Sequence, residues 1–396
     1  MHDHKHRLEK PFNNVYNKVS SLKSRNGDEN LMGMVISHGN PKQPHYAFTF
    51  DDGPTFLKME DWLEALEQHQ AVGTFFFTGE WLDRFPQQER ILLSRGHELA
   101  PHTYHHRRMA EVSREVFFEE LKLTELAYQE ATGLACPTFM RFPYRSYKEE
   151  NIAWLAEWGY IDIEGEDSGD WAGTSSEEIV EKLLPSLANG VILVHHCNDI
   201  AKGTPDAVRK LAQIANSRGL IPVTISQHLK SMDISPRYRR WTISIDIPAF
   251  KLPFSTKDWV PVVQAEDLKQ LAFESFNWGI RHINMGYEGE DQWLQMLSET
   301  LISGRPSESQ AFCYARRFAD QYWAYVLVEV QEDTLVLKDF ATKEFHADAL
   351  VYVINWCIKI ALELGCKRLL ASRDIRRLNT LCDQLGLSSE LLAELI

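Results

Sequence analysis

Between residues 45 and 232, short apolar runs of strand length alternate with longer stretches of helical spacing, and this alternation most constrains the fold. The strand candidates are residues 46–50, 73–77, 97–100, 139–142, 161–163, 191–195 and 221–225. Helical spacing covers 59–69, 87–94, 114–130, 149–158, 176–188 and 206–217. Strands separated by helices cannot be joined as hairpins; they pair in parallel through crossovers. The expected class is α/β, built on a parallel sheet or a (β/α) barrel. Periodicity alone does not separate the open sheet from the barrel.

Charge divides the 396 residues further. Residues 1–44 carry a net charge of +3, residues 45–230 carry −12 and residues 231–396 carry −5, for a total of −14. An acidic chain of this kind is not a general nucleic-acid binder, which needs clustered Lys and Arg against phosphates. Residues 1–44 lack sustained periodicity and are expected to form a mobile or surface-lying arm, with His2, His4 and His6 in a solvated tail. The amino terminus has no apolar core of a signal peptide, no apolar run approaches membrane-span length, and the six cysteines are scattered. Together these predict a cytoplasmic chain in a reducing compartment.

A second module is expected over 236–396. Residues 241–247 alternate with Trp241, Ile243, Ile245 and Ile247 on one face. A hairpin is expected from 323–330 and 334–338 across polar 331–333. A long apolar helix over 348–364, a strand at 368–371 and a helix near 375–385 complete an α+β module. Its closing segment (residues 365–370, Asn379 and 385–387) faintly resembles acyl-CoA N-acetyltransferases. No glycine lies between Leu337 and Asp348 to let backbone N–H groups reach a pyrophosphate, so an accessory or oligomerisation role is expected instead of CoA binding.

The chemistry-bearing residues cluster where the first module's strands end. Asp51 and Asp52 are adjacent carboxylates before Gly53-Pro54, a placement that costs repulsion. On a regular strand they would leave opposite faces, one suited to metal and the other to a proton. His102 and His106 stand four apart, the spacing of one helical face or one turn. With Asp52 they would make a two-histidine, one-carboxylate set leaving open positions on a divalent metal; His105 competes for the second place. Arg141-Phe142-Pro143-Tyr144, Asp167-Ser168-Gly169-Asp170-Trp171 and the strand ending in His195-His196 add a cation, carboxylates, an aromatic and imidazoles. Functional groups at several strand ends are what a site on the C-terminal face of a barrel requires.

These five clusters, in this order, resemble the five motifs of the polysaccharide deacetylases, carbohydrate esterase family four. The stretches at residues 73–79 and 96–99 also resemble that family's framework. The resemblance covers roughly residues 45–230 and implies a distorted (β/α) barrel, with the α+β module following it. It implies a hydrolase acting on carbon–nitrogen, non-peptide bonds, which removes acetyl groups from chitin- or peptidoglycan-like sugars. It further implies one divalent metal, zinc ahead of cobalt, manganese or nickel, on Asp52, His102 and His106. Asp51 becomes the base, held by Arg141; the Tyr144 backbone N–H meets the oxyanion. His196 becomes the acid, oriented by Asp170, while Trp171 and Val194 shape the acetyl pocket.

The chain departs from the family pattern at Pro101, Arg107, Arg145, His195 and Cys197. His195 stands where an apolar residue is usual. Strand alternation puts His196, with Ile192 and Val194, on the pocket side and His195 on the other. An amidase on a small non-sugar substrate, or a catalytically reduced relative serving in binding or assembly, are the other function classes this sequence admits.

Overall fold

A computed structural model describes residues 34–55, 58–85, 88–248, 259–262, 265–276, 294–295, 309–318, 321–343 and 347–396. His2, His4 and His6, with most of the amino-terminal segment, lie outside the described residues. The chain divides into two compact units, one reaching Arg240 and including Leu395–Ile396, the other Trp241–Glu394.

The first unit holds strands β1 (Val35–Ile36), β2 (His45–Asp52), β3 (Gly73–Phe77), β4 (Glu98–Pro101), β5 (Cys136–Pro137), β6 (Phe139–Met140), β7 (Ile161–Ile163), β8 (Glu166–Asp167), β9 (Ile192–Cys197) and β10 (Ile221–Pro222). Two parallel arcs form, β4-β3-β2-β9-β8 and β1-β7-β6, with β10 added to the start of β2. The arcs join at both ends. Arg141, just past β6, donates its N–H to the Pro101 carbonyl of β4 at 3.3 Å. On the other side His38, just past β1, bridges to Val191 before β9, and the chain runs from the arc's middle strand β7 into β8 through Glu164 and Gly165. Gly165 is required there, because a Cβ would lie 2.3 Å from the Ile192 carbonyl oxygen. The result is a distorted barrel of parallel strands.

Strand alternation sorts the apolar side chains into two cores. Ala47, Phe76, Ala100, Phe139, Ile161, Ile163 and Ile192 fill the barrel, with Ile225 and Leu229 of helix Ile225–Lys230. Phe48, Phe50, Phe75, Phe77 and Leu193 point outward onto helices Glu60–Glu67, Arg114–Thr132, Ser176–Leu183 and Thr204–Ser217. Each large apolar side chain buried this way contributes roughly 1.5–3 kcal/mol.

Two local expectations are corrected, and one helix was not expected. Residues 34–44 are not all arm, because β1 pairs in parallel with β7 and His38 bridges Val191. The strand expected at 221–225 stops at Pro222, because Thr224 caps helix Ile225–Lys230 by accepting from the Gln227 N–H. Helix Gly79–Arg84, begun by the Thr78 cap, has too few turns to show a periodic pattern.

The second unit is a mixed sheet of β11 (Tyr238–Asp246), β12 (Trp259–Pro261), β13 (Ser309–Phe318), β14 (Gln321–Gln331), β15 (Thr334–Thr342), β16 (Arg368–Ala371) and β17 (Ser389–Leu395), in the order β12-β13-β14-β15-β16-β11-β17. Of the four residues expected on one face, Trp241, Ile243 and Ile245 are buried and Ile247 is half-buried. The hairpin turn is Glu332-Asp333, with Glu332 left-handed at φ 54°. Helix Ala347–Glu363 carries the parallel crossover from β15 to β16. Residues 344–346, within the glycine-free stretch, lie outside the described residues. Among the described residues no helix is long and apolar enough to cross a membrane.

Candidate active site

On β2 the alternation runs regularly to Asp51, whose carboxylate faces inward and is 5% exposed. It accepts from Arg141 Nη1 at 2.6 Å. Asp52 does not continue the pattern: its backbone is left-handed at φ 80°. This corrects the expectation that the two carboxylates leave opposite faces. The turn carries Asp52 back toward the site that Asp51 addresses, and both charges act on His102. Asp is among the few residues that tolerate this conformation, at some cost in strain. The chain then needs Gly53, at φ 126°, since a Cβ there would meet the Trp81 ring at 2.7 Å. Trp81 donates in turn to the Pro54 carbonyl at 2.9 Å.

His102 and His106 meet across a loop, not along a helix, with ring centroids 5.0 Å apart. Thr103 (φ 62°) and His106 (φ 56°) are both left-handed. His105 leaves the cluster: its Nδ1 lies 2.7 Å from Glu120 Oε1. Glu120, nearly fully buried on helix Arg114–Thr132, also accepts from the backbone N–H groups of Tyr104 (3.0 Å) and His105 (2.8 Å) and forms an ion pair with Arg107, whose Nε lies 3.1 Å from Oε1.

The donor set suits a cation. His102 donates Nδ1–H to the Arg141 carbonyl at 2.9 Å, and His106 Nδ1 shares a 3.0 Å hydrogen bond with the Tyr144 hydroxyl. His102 Nε2 therefore presents its lone pair, and His106 Nε2 does so in the tautomer that donates Nδ1–H to Tyr144. The two Nε2 atoms lie 3.7 Å (His102) and 3.0 Å (His106) from Asp52 Oδ1. That oxygen is buried with no hydrogen-bond partner, whereas Oδ2 accepts from Asn198 Nδ2 at 2.7 Å. One oxygen and two nitrogens within 4.8 Å of one another are a ready ligand set for a divalent cation. Burial pushes the Asp52 carboxyl up, but the adjacent imidazoles of His106, His102 and His196 outweigh it, and the net shift is downward. Burial lowers His102 to about 4, which keeps it neutral and fit to ligate.

Arg141 is buried at 2% exposure, donating from Nε to the Ile163 carbonyl (2.7 Å) with its guanidinium 4.3 Å over the Phe76 ring. Tyr144 follows on a left-handed backbone (φ 59°), more than half exposed, its ring packed on His106. The departures have local contacts: Arg107 pairs with Glu120, and Arg145 donates to the Gly165 carbonyl.

At the end of β9 the two histidines separate by strand alternation. His196 turns inward, and its Nδ1 lies 2.7 Å from Asp170 Oδ1. Asp170 is fully buried and also accepts from the His196 N–H (2.8 Å) and Thr204 Oγ1 (2.6 Å). Burial alone would lower His196; the Asp170 hydrogen bond and the charges of Asp51, Asp170 and Asp52 outweigh it and raise it to about 9. Asp170 is lowered to about 2, its burial outweighed mainly by His196. His195 turns outward between Phe48 and Phe50, at centroid distances of 5.8 and 5.7 Å. Both its ring nitrogens lack hydrogen-bond partners, and burial lowers it to about 4. Val194 is buried, whereas Trp171 is 58% exposed with its indole nitrogen 3.5 Å from Asp167 Oδ2.

Sequence reasoning missed Glu120, Asn198 and Thr204. Glu120 left a legible trace, a carboxylate beside Phe117, Phe118 and Leu121 on the apolar side of an amphipathic helix. Asn198 and Thr204 sit in and beside a polar loop and left none.

A parallel barrel with a two-histidine, one-carboxylate cluster at its strand ends defines a class, barrels built around a candidate metal centre. A profile of the polysaccharide deacetylase family matches residues 38–162. A peptidoglycan-N-acetylglucosamine deacetylase of Bacillus cereus is 30% identical over 182 residues, 45% of this chain and 66% of that protein. A chitooligosaccharide deacetylase of Bradyrhizobium sp. is 31% identical over 149 residues, 37% of this chain and 68% of that protein. The match to the peptidoglycan-N-acetylmuramic acid deacetylase PdaC of Bacillus subtilis is 26% identical over 193 residues and spans 39% of that protein. The chain thus spans about two thirds of the length of the first two relatives and less of the third. A solved peptidoglycan N-acetylglucosamine deacetylase, Bc1960, superimposes with a TM-score of 0.47 at 26% identity, over 50% of this chain and 92% of that one. The chain belongs to the polysaccharide deacetylase family.

Proposed function

We propose that this chain is a divalent-metal-dependent hydrolase removing acetyl groups from N-acetylated amino sugars of the chitin or peptidoglycan type. The observation that carries the reading is the convergence of Asp52 Oδ1 with the two Nε2 atoms, flanked by the Asp51–Arg141 and Asp170–His196 pairs. Asp52, His102 and His106 would hold the cation, zinc ahead of cobalt, manganese or nickel for a histidine-rich set. When bound, it supplies Lewis-acid polarisation of water and of the acyl carbonyl.

The protein's own groups do the rest. Asp51, held as a carboxylate acceptor by Arg141, takes the proton of the attacking water. The backbone N–H of Tyr144 meets the charge that develops on the acyl oxygen, an interaction worth about 3 kcal/mol per donor in other enzymes. The amine is a poor leaving group and must be protonated as the C–N bond breaks. His196, raised to about 9, carries that proton at neutral pH, with Asp170 fixing its ring. Water adds to the acyl carbon, and acetate and free amine depart. Trp171 and Val194 are assigned to the acetyl pocket. Residues 241–394 are assigned an accessory or self-association role outside the chemistry. All six cysteine thiols are free and buried, which supports a reducing compartment.

The test is acetate release from N-acetylglucosamine oligomers by protein stripped with chelator and then reloaded with zinc. Release lost on stripping and restored by metal is expected. No release from reloaded protein, or release indifferent to chelation, would overturn the reading.

A further inference from the structure

We infer that Glu120 is the positioning residue of the metal-ligand loop. Its carboxylate holds the segment between His102 and His106 in the one shape that lets both Nε2 atoms face Asp52. The inference rests on the metal-centre reading above and extends it to a residue outside the ligand set.

The loop has little regular structure to hold it. It is bracketed by left-handed backbone at Thr103 (φ 62°) and His106 (φ 56°), both non-glycine, and such residues persist only where the surroundings over-determine them. The Thr103 hydroxyl, which could brace the loop locally, is buried without a partner. Glu120 supplies what is missing. Oε2 accepts from the Tyr104 N–H (3.0 Å) and the His105 N–H (2.8 Å), closing the backbone between the two ligands. Oε1 faces His105 Nδ1 (2.7 Å) and Arg107 Nε (3.1 Å), which turns the competing imidazole away and ties the position after His106.

These contacts transmit position because Glu120 is itself fixed. It lies 2% exposed on a 19-residue helix, capped by Ser113, whose Phe117, Phe118 and Leu121 are buried. A buried carboxylate is costly to desolvate unless its lone pairs are used, and here three hydrogen bonds and the Arg107 ion pair use them. The helix core thus sets where the loop can lie, and the loop sets where the imidazoles can point.

The test is zinc titration by calorimetry on the full, chelator-stripped chain. Groups that orient metal ligands typically contribute 10–100-fold in metal affinity. Glu120→Ala should weaken zinc binding by about that factor, and Glu120→Gln, which keeps one acceptor oxygen, by less. Glu125→Gln is the control: Glu125 is equally buried on the same helix but pairs with Arg239 (2.8 Å) and Trp158, away from the loop. It should lower thermal stability and leave zinc affinity within about two-fold of wild type. Should Glu120→Ala fail to fold, Glu120→Gln decides. Zinc affinity unchanged in folded Glu120→Gln, or weakened equally by Glu125→Gln, would overturn the inference while the metal reading stands. A wild-type chain that binds no zinc would overturn both.

Discussion

β2 and β9 are neighbours in the barrel, paired Asp51 to His196 and Asp52 to Cys197, and each carries two titratable residues side by side near its end. They solve the same problem in opposite ways. On β9 alternation holds, so His196 enters the site and His195 is consigned to the aromatic layer between Phe48 and Phe50. On β2 alternation is broken by the left-handed Asp52, and both carboxylates face the candidate site. A regular strand can offer one of two adjacent side chains to a pocket; offering both requires backbone strain. The strain sits at Asp52, where the three atoms of the candidate ligand set converge.

The largest expected effect separates the two aspartates. Asp52→Asn accepts the same left-handed backbone, so thermal stability should change little. Metal affinity should fall more than about 100-fold, beyond what a merely orienting group contributes. Asp51→Asn should keep the metal and lower kcat by about 10²–10⁴-fold, the range of a general base. Metal content and acetate release on both proteins check this. Metal lost from Asp51→Asn and kept by Asp52→Asn would reverse the roles.

The same test on β9 should give a one-sided result. His196→Ala should lower kcat about 10²–10⁴-fold, most for substrates with a poor amine leaving group. His195→Phe should leave kcat within a few-fold, since its ring has no hydrogen bond to lose. Equal losses in acetate release would mean that the strand face does not decide which histidine acts.

Which of these features could be read in advance follows from how each is encoded. The βα rhythm announces a parallel sheet or barrel, the family resemblance selects the barrel, and alternation through Ile192 and Val194 orients both histidines, because these are repeating patterns. The break at Asp52 was invisible, since a single φ leaves no periodic trace and Gly53-Pro54 says only that the chain turns. The spacing of His102 and His106 suggested a helix or a turn; the loop used instead depends on Glu120, fourteen residues beyond His106 and on another element. Strands as short as β8 and β1 carry too few residues for a pattern, and only their partners define them.

The finest distinction lies in acid–base linkage, and it is best measured on metal-free protein, where no cation competes with the protons. The adjacent histidines of β9 titrate in opposite directions. Burial lowers His195 to about 4, and burial with the charge of Arg95 lowers His97 to about 4 as well. An unfolded histidine titrates near ~6.5. Between 6.5 and 4 the unfolded chain therefore binds more protons than the folded one, and stability must fall as pH drops through that window. His196, raised to about 9, gives the reverse: its contribution is fully present below 6.5 and is lost as pH rises toward 9. Thermal unfolding across pH 4–9 should thus show a maximum near the middle, with a declining limb on each side. His195→Phe should flatten the acid limb without abolishing it, because His97 and His102, each lowered to about 4, remain. It should also raise Tm by about 2–4 °C near neutrality, as about 1 kcal/mol of unmet hydrogen bonding is removed. His196→Gln should flatten only the alkaline limb. Both substitutions acting on the same limb would mean that the two histidines share one environment, and the separation by strand face would fail.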